Sequence, residues 1–241
     1  MREVQGPVPE PYSIQVKICG LTDEAAVAAT LQAGADLAGF VFFPPSPRHL
    51  ATGRAAELAK PLRGRARIVA LTVDADDRAF DDICTTLCPD LLQLHGDESP
   101  KRVAALKARY RLPVMKMIAV RDVADIERAR AYFDVADRIL FDAKAPPGAS
   151  RPGGLGLSFD WRLLAGLDLP LPFMLSGGLD PDTVATAIRI ARPGAVDVSS
   201  GVESAPGRKD PAAIRSFVDA VRAVGRETVT AGGGALERIP T

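Results

Sequence analysis

Short apolar runs recur along the chain, each followed by a polar or glycine-rich exit and then by a longer stretch with helical spacing. Val16–Cys19, Leu37–Phe42, Arg67–Leu71, Leu91–Leu94, Val114–Met117, Arg138–Phe141, Phe173–Ser176 and Val196–Val198 read as strands, their starts roughly 20–35 residues apart. Helix signals fill the intervals. Asp23 opens a segment with Val27 and Leu31 on one face, Ser99-Pro100 starts another, and Asp180-Pro181 and Asp210-Pro211 place an N-cap before a first-turn proline. About eight β/α units predict an α/β fold, a single-domain (β/α)8 TIM barrel over residues 14–224. A doubly wound open sheet is the alternative, and eight units of this regularity argue against it. Residues 1–13 and 225–241 read as tails, the first proline-rich without apolar periodicity, the second glycine-rich and expected to be flexible.

In a β/α barrel the C-terminal strand ends converge on one face, where active sites lie. Reading each strand forward reaches Cys19-Gly20, Ser46-Pro47-Arg48, Thr72, His95-Gly96, Lys116, Asp142-Ala143-Lys144, Ser176-Gly177-Gly178 and Ser199-Ser200-Gly201. The last two follow strands seven and eight, where barrels commonly hold a phosphate on backbone N–H groups. Gly177, Gly178, Ser199, Ser200 and Gly201 are therefore candidate phosphate ligands. The arm Arg151-Pro152-Gly153-Gly154-Leu155-Gly156 after strand six is a third glycine-rich candidate, or a lid together with the Pro/Gly-rich loop from Ala145.

Charge supports a local anion site rather than a basic surface. The 241 residues carry 30 Lys+Arg against 30 Asp+Glu, so no sequence-wide field favours nucleic acid or an anionic membrane. No apolar run approaches the roughly 20 residues of a membrane span and the start lacks a signal-peptide core, so the expectation is a cytoplasmic protein acting on a small phosphorylated molecule. Three cysteines do not make a disulfide framework. Cys84 and Cys88 lie four apart in a helical segment and read as buried packing on a shared face. Two histidines, His49 and His95, do not make a histidine-rich metal site. Trp161 and the Phe40–Phe43 run read as core, with Phe42 or Phe43 a candidate border for an aromatic ligand.

Lys17-Ile18-Cys19-Gly20-Leu21-Thr22, Gly39-Phe40-Val41-Phe42 leading to Ser46-Pro47-Arg48, and Leu92-Gln93-Leu94-His95-Gly96-Asp97-Glu98 together resemble the phosphoribosylanthranilate isomerases of tryptophan biosynthesis. So do Phe141-Asp142-Ala143-Lys144, Phe159-Asp160-Trp161, Leu175-Ser176-Gly177-Gly178-Leu179 and the run from Val196 to Glu203, in the family's order over about residues 14–222. The resemblance implies an Amadori rearrangement of an aminoaldose to an aminoketose without metal, nucleotide or redox cofactor. It makes Asp142 the acid that protonates the furanose ring oxygen and Cys19 the base that takes the C2′ proton. It also assigns Arg48 to the anthranilate carboxylate, a group that a guanidinium can hold bidentately. His95 is a candidate pocket residue, equally read as bonded within its own loop.

A thiol of ordinary pKa about 8.5 needs a positive neighbour to serve as a base. Strand periodicity puts Lys17 on the inner face with Cys19, and Asp197 inside strand eight beside strand one. The expectation is that Lys17 lowers the Cys19 pKa while Asp197 balances the buried charge. Asp142 has the opposite need, burial that keeps a carboxyl protonated. One departure from the family stands out: Leu155 replaces the usual threonine of a Gly-Gly-Thr-Gly arm, so that Gly154 keeps its place but a hydroxyl is lost. The related isomerase of histidine biosynthesis would call for an aspartate at position 19. Other readings are a Schiff-base aldolase or lyase on Lys144 or Lys116, and a phosphate-ligand-binding barrel without catalysis. A monomer is expected.

Overall fold

The computed structural model describes residues 14–146, 148–149 and 152–232, with side chains to residue 226. Eight strands, β1 (Gln15–Cys19), β2 (Leu37–Phe42), β3 (Arg67–Thr72), β4 (Leu91–Leu94), β5 (Val114–Val120), β6 (Arg138–Ala143), β7 (Phe173–Leu175) and β8 (Ala195–Val198), pair in sequence order and in parallel, and β8 returns to β1 to close a barrel. Helices α1 (Glu24–Ala33), α2 (Thr52–Ala59), α3 (Asp77–Thr86), α4 (Pro100–Tyr110), α5 (Val123–Glu127), α6 (Val184–Ala191) and α7 (Pro211–Gly232) surround it. Among the described residues after β6, the connection carries a 3-10 turn, Trp161–Leu164, and no α-helix, and the tryptophan packs on the core as expected. This is the (β/α)8 TIM barrel. No helix among the described residues is long and apolar enough to cross a membrane.

The strand alternation divides the core in two. Leu37, Val69, Leu91, Met115, Leu140 and Ala195 point inward and, with Met174, fill the barrel as an apolar plug. Their neighbours Val16, Ile18, Phe40, Ile68, Leu92 and Phe141 point outward against the helices. Phe42 belongs to this outer layer and Phe43 does not, which settles the choice between them as cavity residues in favour of Phe43.

Several helix starts follow the cap chemistry read from the chain. The Asp23 carboxylate accepts from Ala26 N at 2.8 Å and Ser99 Oγ from Arg102 N, each satisfying a first-turn N–H. Asp210 caps α7 through Ala212 N at 2.8 Å. Asp180 does not begin a helix directly. Its Oδ1 accepts from Asp182 N and Thr183 N to form a turn, and α6 starts at Val184. The expected C-terminal boundary at 224 is also corrected, because α7 continues to Gly232. Its Arg222 reaches back to Ile14 O at 2.7 Å and Asp36 Oδ2 at 2.8 Å, tying the last helix to the start of the barrel. Cys88 lies beyond the end of α3, exposed, in a left-handed conformation (φ +47°), so it does not share a buried helix face with Cys84.

Above the plug, Lys17 and Asp197 are opposed in the β1–β8 register and pair at 2.8 Å, the lysine side chain fully buried. Burial opposes its charge, yet Asp197 and the adjacent Cys19 hold Lys17 above its ordinary range. Removing one partner of such a pair leaves the other charged and dry. Asp197→Ala should destabilise the fold by about 3–5 kcal/mol, and Lys17→Met added to it should recover part of that loss. Urea-unfolding midpoints in a double-mutant cycle measure this, and strictly additive losses would mean the two charges are not coupled.

Candidate active site

The C-terminal strand ends enclose a cavity, the concave kind of surface on which small-molecule sites are built. β1 contributes Cys19, whose thiol lines the cavity while remaining buried. Lys17 lies just beneath, donating to Asp197 Oδ1 at 2.8 Å and standing beside the thiol. Space for this pair comes from Gly39 on the neighbouring strand, where a Cβ would fall 3.1 Å from both Cys19 Sγ and Lys17 Nζ. Asp197 also lines the cavity and accepts from Ser176 Oγ at 3.4 Å.

The expected lowering of the thiol pKa does not prevail. Burial pushes Cys19 up, Lys17 pulls it down, and the Asp197 charge pushes it up again, leaving it above the ordinary thiol range. Lys17 therefore limits a rise instead of producing a fall. The periodicity located the partners correctly, but the sign depended on how completely the barrel excludes water.

Asp142 enters from β6, separated from β1 by β7 and β8. It is buried, and its Oδ1 accepts from Ala143 N at 2.8 Å. His95 Nε2 stands 3.4 Å from Asp142 Oδ2, and Gln93 Nε2 lies 3.1 Å from His95 Nδ1. In the tautomer in which Nδ1 accepts from the Gln93 amide, the Nε2 proton faces Asp142. His95 thus lines the cavity and is also bonded within its own segment, so both sequence readings hold. Glu98 fastens that segment, accepting from Gly96 N at 3.1 Å and from Lys116 Nζ at 2.9 Å.

Glycine arms form the rest of the wall. Gly177 (φ +83°) approaches so closely that a Cβ would lie 2.7 Å from Ala143 N and 3.1 Å from Asp142 Oδ1. Gly178, Ser199 and Ser200 line the cavity beside it. Ser199 has a side-chain duty besides, donating to Cys19 O at 3.1 Å. Gly201 packs on the Leu179 carbonyl, where no Cβ fits, and so joins the two arms. Pro152, Gly153 and Gly154 close over the top, a Gly153 Cβ falling 2.5 Å from His95 Nε2 and 2.9 Å from Asp142 Oδ2. Leu155 lines the cavity, placing apolar surface where the departure from the family removed a hydroxyl. Arg151, and with residues 147 and 150 part of the segment read as a lid, lie outside the described residues.

Arg48 also lines the cavity, but its fork is already engaged. Nε and Nη2 donate to the two carboxylate oxygens of Glu203 at 2.7 and 2.8 Å, and Nη2 also approaches Gly154 O at 3.3 Å. Nη1 makes no hydrogen bond among the described residues and is the edge left for a ligand. Glu203, Lys209, Gly39 and Gln93 are the contributors that the sequence reading did not single out. Gly39, Gln93 and Glu203 stood within the recognised motifs; Lys209 carried no signal.

Both lysines of the Schiff-base reading are turned elsewhere. Lys116 lies inside β5 rather than at its end and points outward, to Glu98 and to Gly96 O at 2.6 Å, over the Tyr132 ring. Lys144 pairs with Asp125 at 2.6 Å, and neither lines the cavity.

Comparison with known proteins follows the same lines. Residues 16–220 match the family model described as N-(5′-phosphoribosyl)anthranilate (PRA) isomerase. An N-(5′-phosphoribosyl)anthranilate isomerase of Rhodopseudomonas palustris (strain BisA53) is 59% identical over 216 residues, covering 90% of this chain and 99% of the relative. That of Bradyrhizobium sp. (strain BTAi1 / ATCC BAA-1182) is 60% identical over 211 residues, 88% of this chain and 96% of the relative. The crystal structure of the Thermotoga maritima phosphoribosyl anthranilate isomerase superposes with a TM-score of 0.78 at 34% identity, covering 88% of this chain and 100% of that one. A phosphoribosyl anthranilate isomerase in complex with reduced 1-(o-carboxyphenylamino)-1-deoxyribulose 5-phosphate gives a TM-score of 0.74 at 33% identity, with the same coverage.

The position of Gly39 makes a direct test of the site's electrostatics. Gly39→Ala should push Lys17 away from Cys19 and raise the thiol pKa further. On a Cys84→Ser/Cys88→Ser background, the pH midpoint of Cys19 alkylation is expected to move up; an unmoved midpoint would mean Lys17 does not govern the thiol.

Proposed function

This chain belongs to the N-(5′-phosphoribosyl)anthranilate isomerase family, and from that premise we propose that Asp142 and Cys19 are the acid and base of its reaction. The reaction is the isomerase step of tryptophan biosynthesis, converting N-(5-phosphoribosyl)anthranilate to 1-(2-carboxyphenylamino)-1-deoxyribulose 5-phosphate. The observation that carries the assignment of roles is that both groups, one thiol and one carboxyl, face a single cavity from separate walls.

Asp142 gives its proton to the furanose ring oxygen. The C1′–O bond breaks as the anthranilate nitrogen donates its lone pair, leaving an iminium. The Cys19 thiolate takes the C2′ proton, the C2′–H electrons neutralise the iminium as an enolamine, and tautomerisation gives the ketone. The iminium brings a positive charge toward the thiol, favouring its thiolate when a base is needed and compensating for the rise imposed by burial. Lys17 supports the thiolate and Asp197 balances Lys17. His95 orients the Asp142 carboxyl through its Nε2–H.

The substrate's phosphate is assigned to Gly177, Gly178, Ser199 and Ser200 with the Gly154 arm, and its ring carboxylate to Arg48 Nη1. Backbone donors suit a phosphate because glycine lets them come close without a cationic side chain. The intervening wall of Phe43, Val41 and Leu71 suits an aromatic ring. A monomer is the proposed working unit, and the cytoplasm is the proposed compartment.

Turnover of freshly generated phosphoribosylanthranilate, followed by loss of its fluorescence, tests the roles. Cys19→Ala and Asp142→Asn should each lower kcat by about a hundredfold or more, as general acid–base groups do. Near-native turnover in either variant would remove that residue from the mechanism.

A further inference from the structure

Between β8 and α7 the chain makes a small antiparallel hairpin, β9 (Glu203–Ala205) and β10 (Arg208–Lys209), in which Glu203 and Lys209 are paired. The hairpin is seated against the site. Thr22 Oγ1, just beyond β1, donates to Gly207 O at 2.8 Å, and the backbone of Gly207 (φ +80°) lies so near Pro47 that a Cβ would fall 2.5 Å from its carbonyl oxygen. Its two charged ends both turn inward. Glu203 accepts Arg48 through both carboxylate oxygens, Gly207 N at 3.2 Å, and Lys209 Nζ at 2.7 Å. Lys209 Nζ also donates to Ser199 O at 2.9 Å and to Ser199 Oγ at 3.2 Å, so three acceptors meet the three protons of an ammonium.

All three side chains are buried, about 4% exposed or less. Burial would raise Glu203, but the Arg48 hydrogen bond and the Lys209 charge hold it below its ordinary range, so it stays a carboxylate. Two cations and one anion leave one positive charge in excess. The stem of Arg48 crosses Gly20, where a Cβ would collide with Cδ, so the guanidinium has little freedom once its fork is taken. What remains is one donor edge, Nη1, with a net charge matched to a single carboxylate. An unpaired arginine and lysine at this end would attract a phosphate, which prefers a guanidinium fork.

We propose that Glu203, held by Lys209, is a positioning residue that sets substrate orientation: it commits the Arg48 fork so that this end of the cavity takes a monoanionic carboxylate and leaves the phosphate to the glycine arms. The inference rests on the reading that Arg48 meets the substrate's ring carboxylate.

The test compares N-(5-phosphoribosyl)anthranilate with its counterpart lacking the carboxylate, N-(5-phosphoribosyl)aniline, and measures inhibition by inorganic phosphate. Arg48→Met should abolish the preference in kcat/KM for the carboxylated substrate. Glu203→Gln should reduce that preference by about tenfold, mainly through KM, and tighten phosphate inhibition because the cluster gains charge. Lys209→Met, which makes the cluster neutral, should weaken phosphate inhibition. Glu203→Asp keeps the charge but shortens the reach, so it should lose preference with phosphate inhibition little changed, and it serves if Glu203→Gln does not fold. Loss of preference in Arg48→Met but not in Glu203→Gln or Glu203→Asp would overturn the inference alone. Movement of phosphate inhibition in one direction for both Glu203→Gln and Lys209→Met would reduce Glu203 to a structural part. Full preference in Arg48→Met would remove the Arg48 reading, and the inference with it.

Discussion

The site depends on a lysine ammonium held in the interior of a barrel. Lys17 is fully buried, 2.8 Å from Asp197 and in contact with the Cys19 thiol. Since a buried charge without a partner costs several kcal/mol, β1 and β8 must meet in the register that opposes Lys17 to Asp197, and β2 must offer a glycine at position 39. The same register brings Cys19 to the cavity floor and turns Ser199 toward its carbonyl. Barrel closure and thiol chemistry are thus set by one contact. The contact holds the thiol above its ordinary range but below where burial alone would leave it, so in the proposed mechanism the base is quiet until the reaction produces a cation near it.

Charge at the cavity is nearly balanced. Lys17 is matched by Asp197, whereas Arg48 and Lys209 share the one carboxylate of Glu203 and leave a single positive charge over. In the proposed assignment the phosphate is met by backbone arms after β7 and β8, and the carboxylate by one guanidinium edge. The two anionic ends of the substrate would then face different chemistry. On that proposal, the difference lets the scissile ring settle between Asp142 and Cys19 in one direction.

Much of this was legible in the chain. Eight apolar runs located all eight strands, six of the boundaries shifting by one to three residues, because inward and outward residues alternate on a period that helices do not share. The strand ends carried Cys19, Arg48, His95 and Asp142, since the barrel topology sends every such end to one face. Other features needed three dimensions. The Glu203–Lys209 hairpin has short polar strands with a register shift and no apolar alternation to announce it. The packing of Gly201 on the Leu179 carbonyl also needed the fold, because a glycine that packs against a carbonyl and one that meets an anion are alike in sequence. Asp180-Pro181 had the form of a helix cap, but the side chain closed a turn with Thr183 first. The sign of the thiol shift was hidden for a deeper reason: attraction to Lys17 is implied by strand period, whereas desolvation is a property of the assembled barrel.

The pH dependence of kcat/KM tests the central claim most directly, because it reports ionisations of the free enzyme. With Lys17, Asp197 and Lys209 in place, activity should rise with pH through a value above the ordinary thiol pKa of about 8.5. Lys17→Met should carry that limb higher, since the charge that restrains the rise is gone. A native limb at or below about 7, or one that Lys17→Met leaves where it was, would contradict the account.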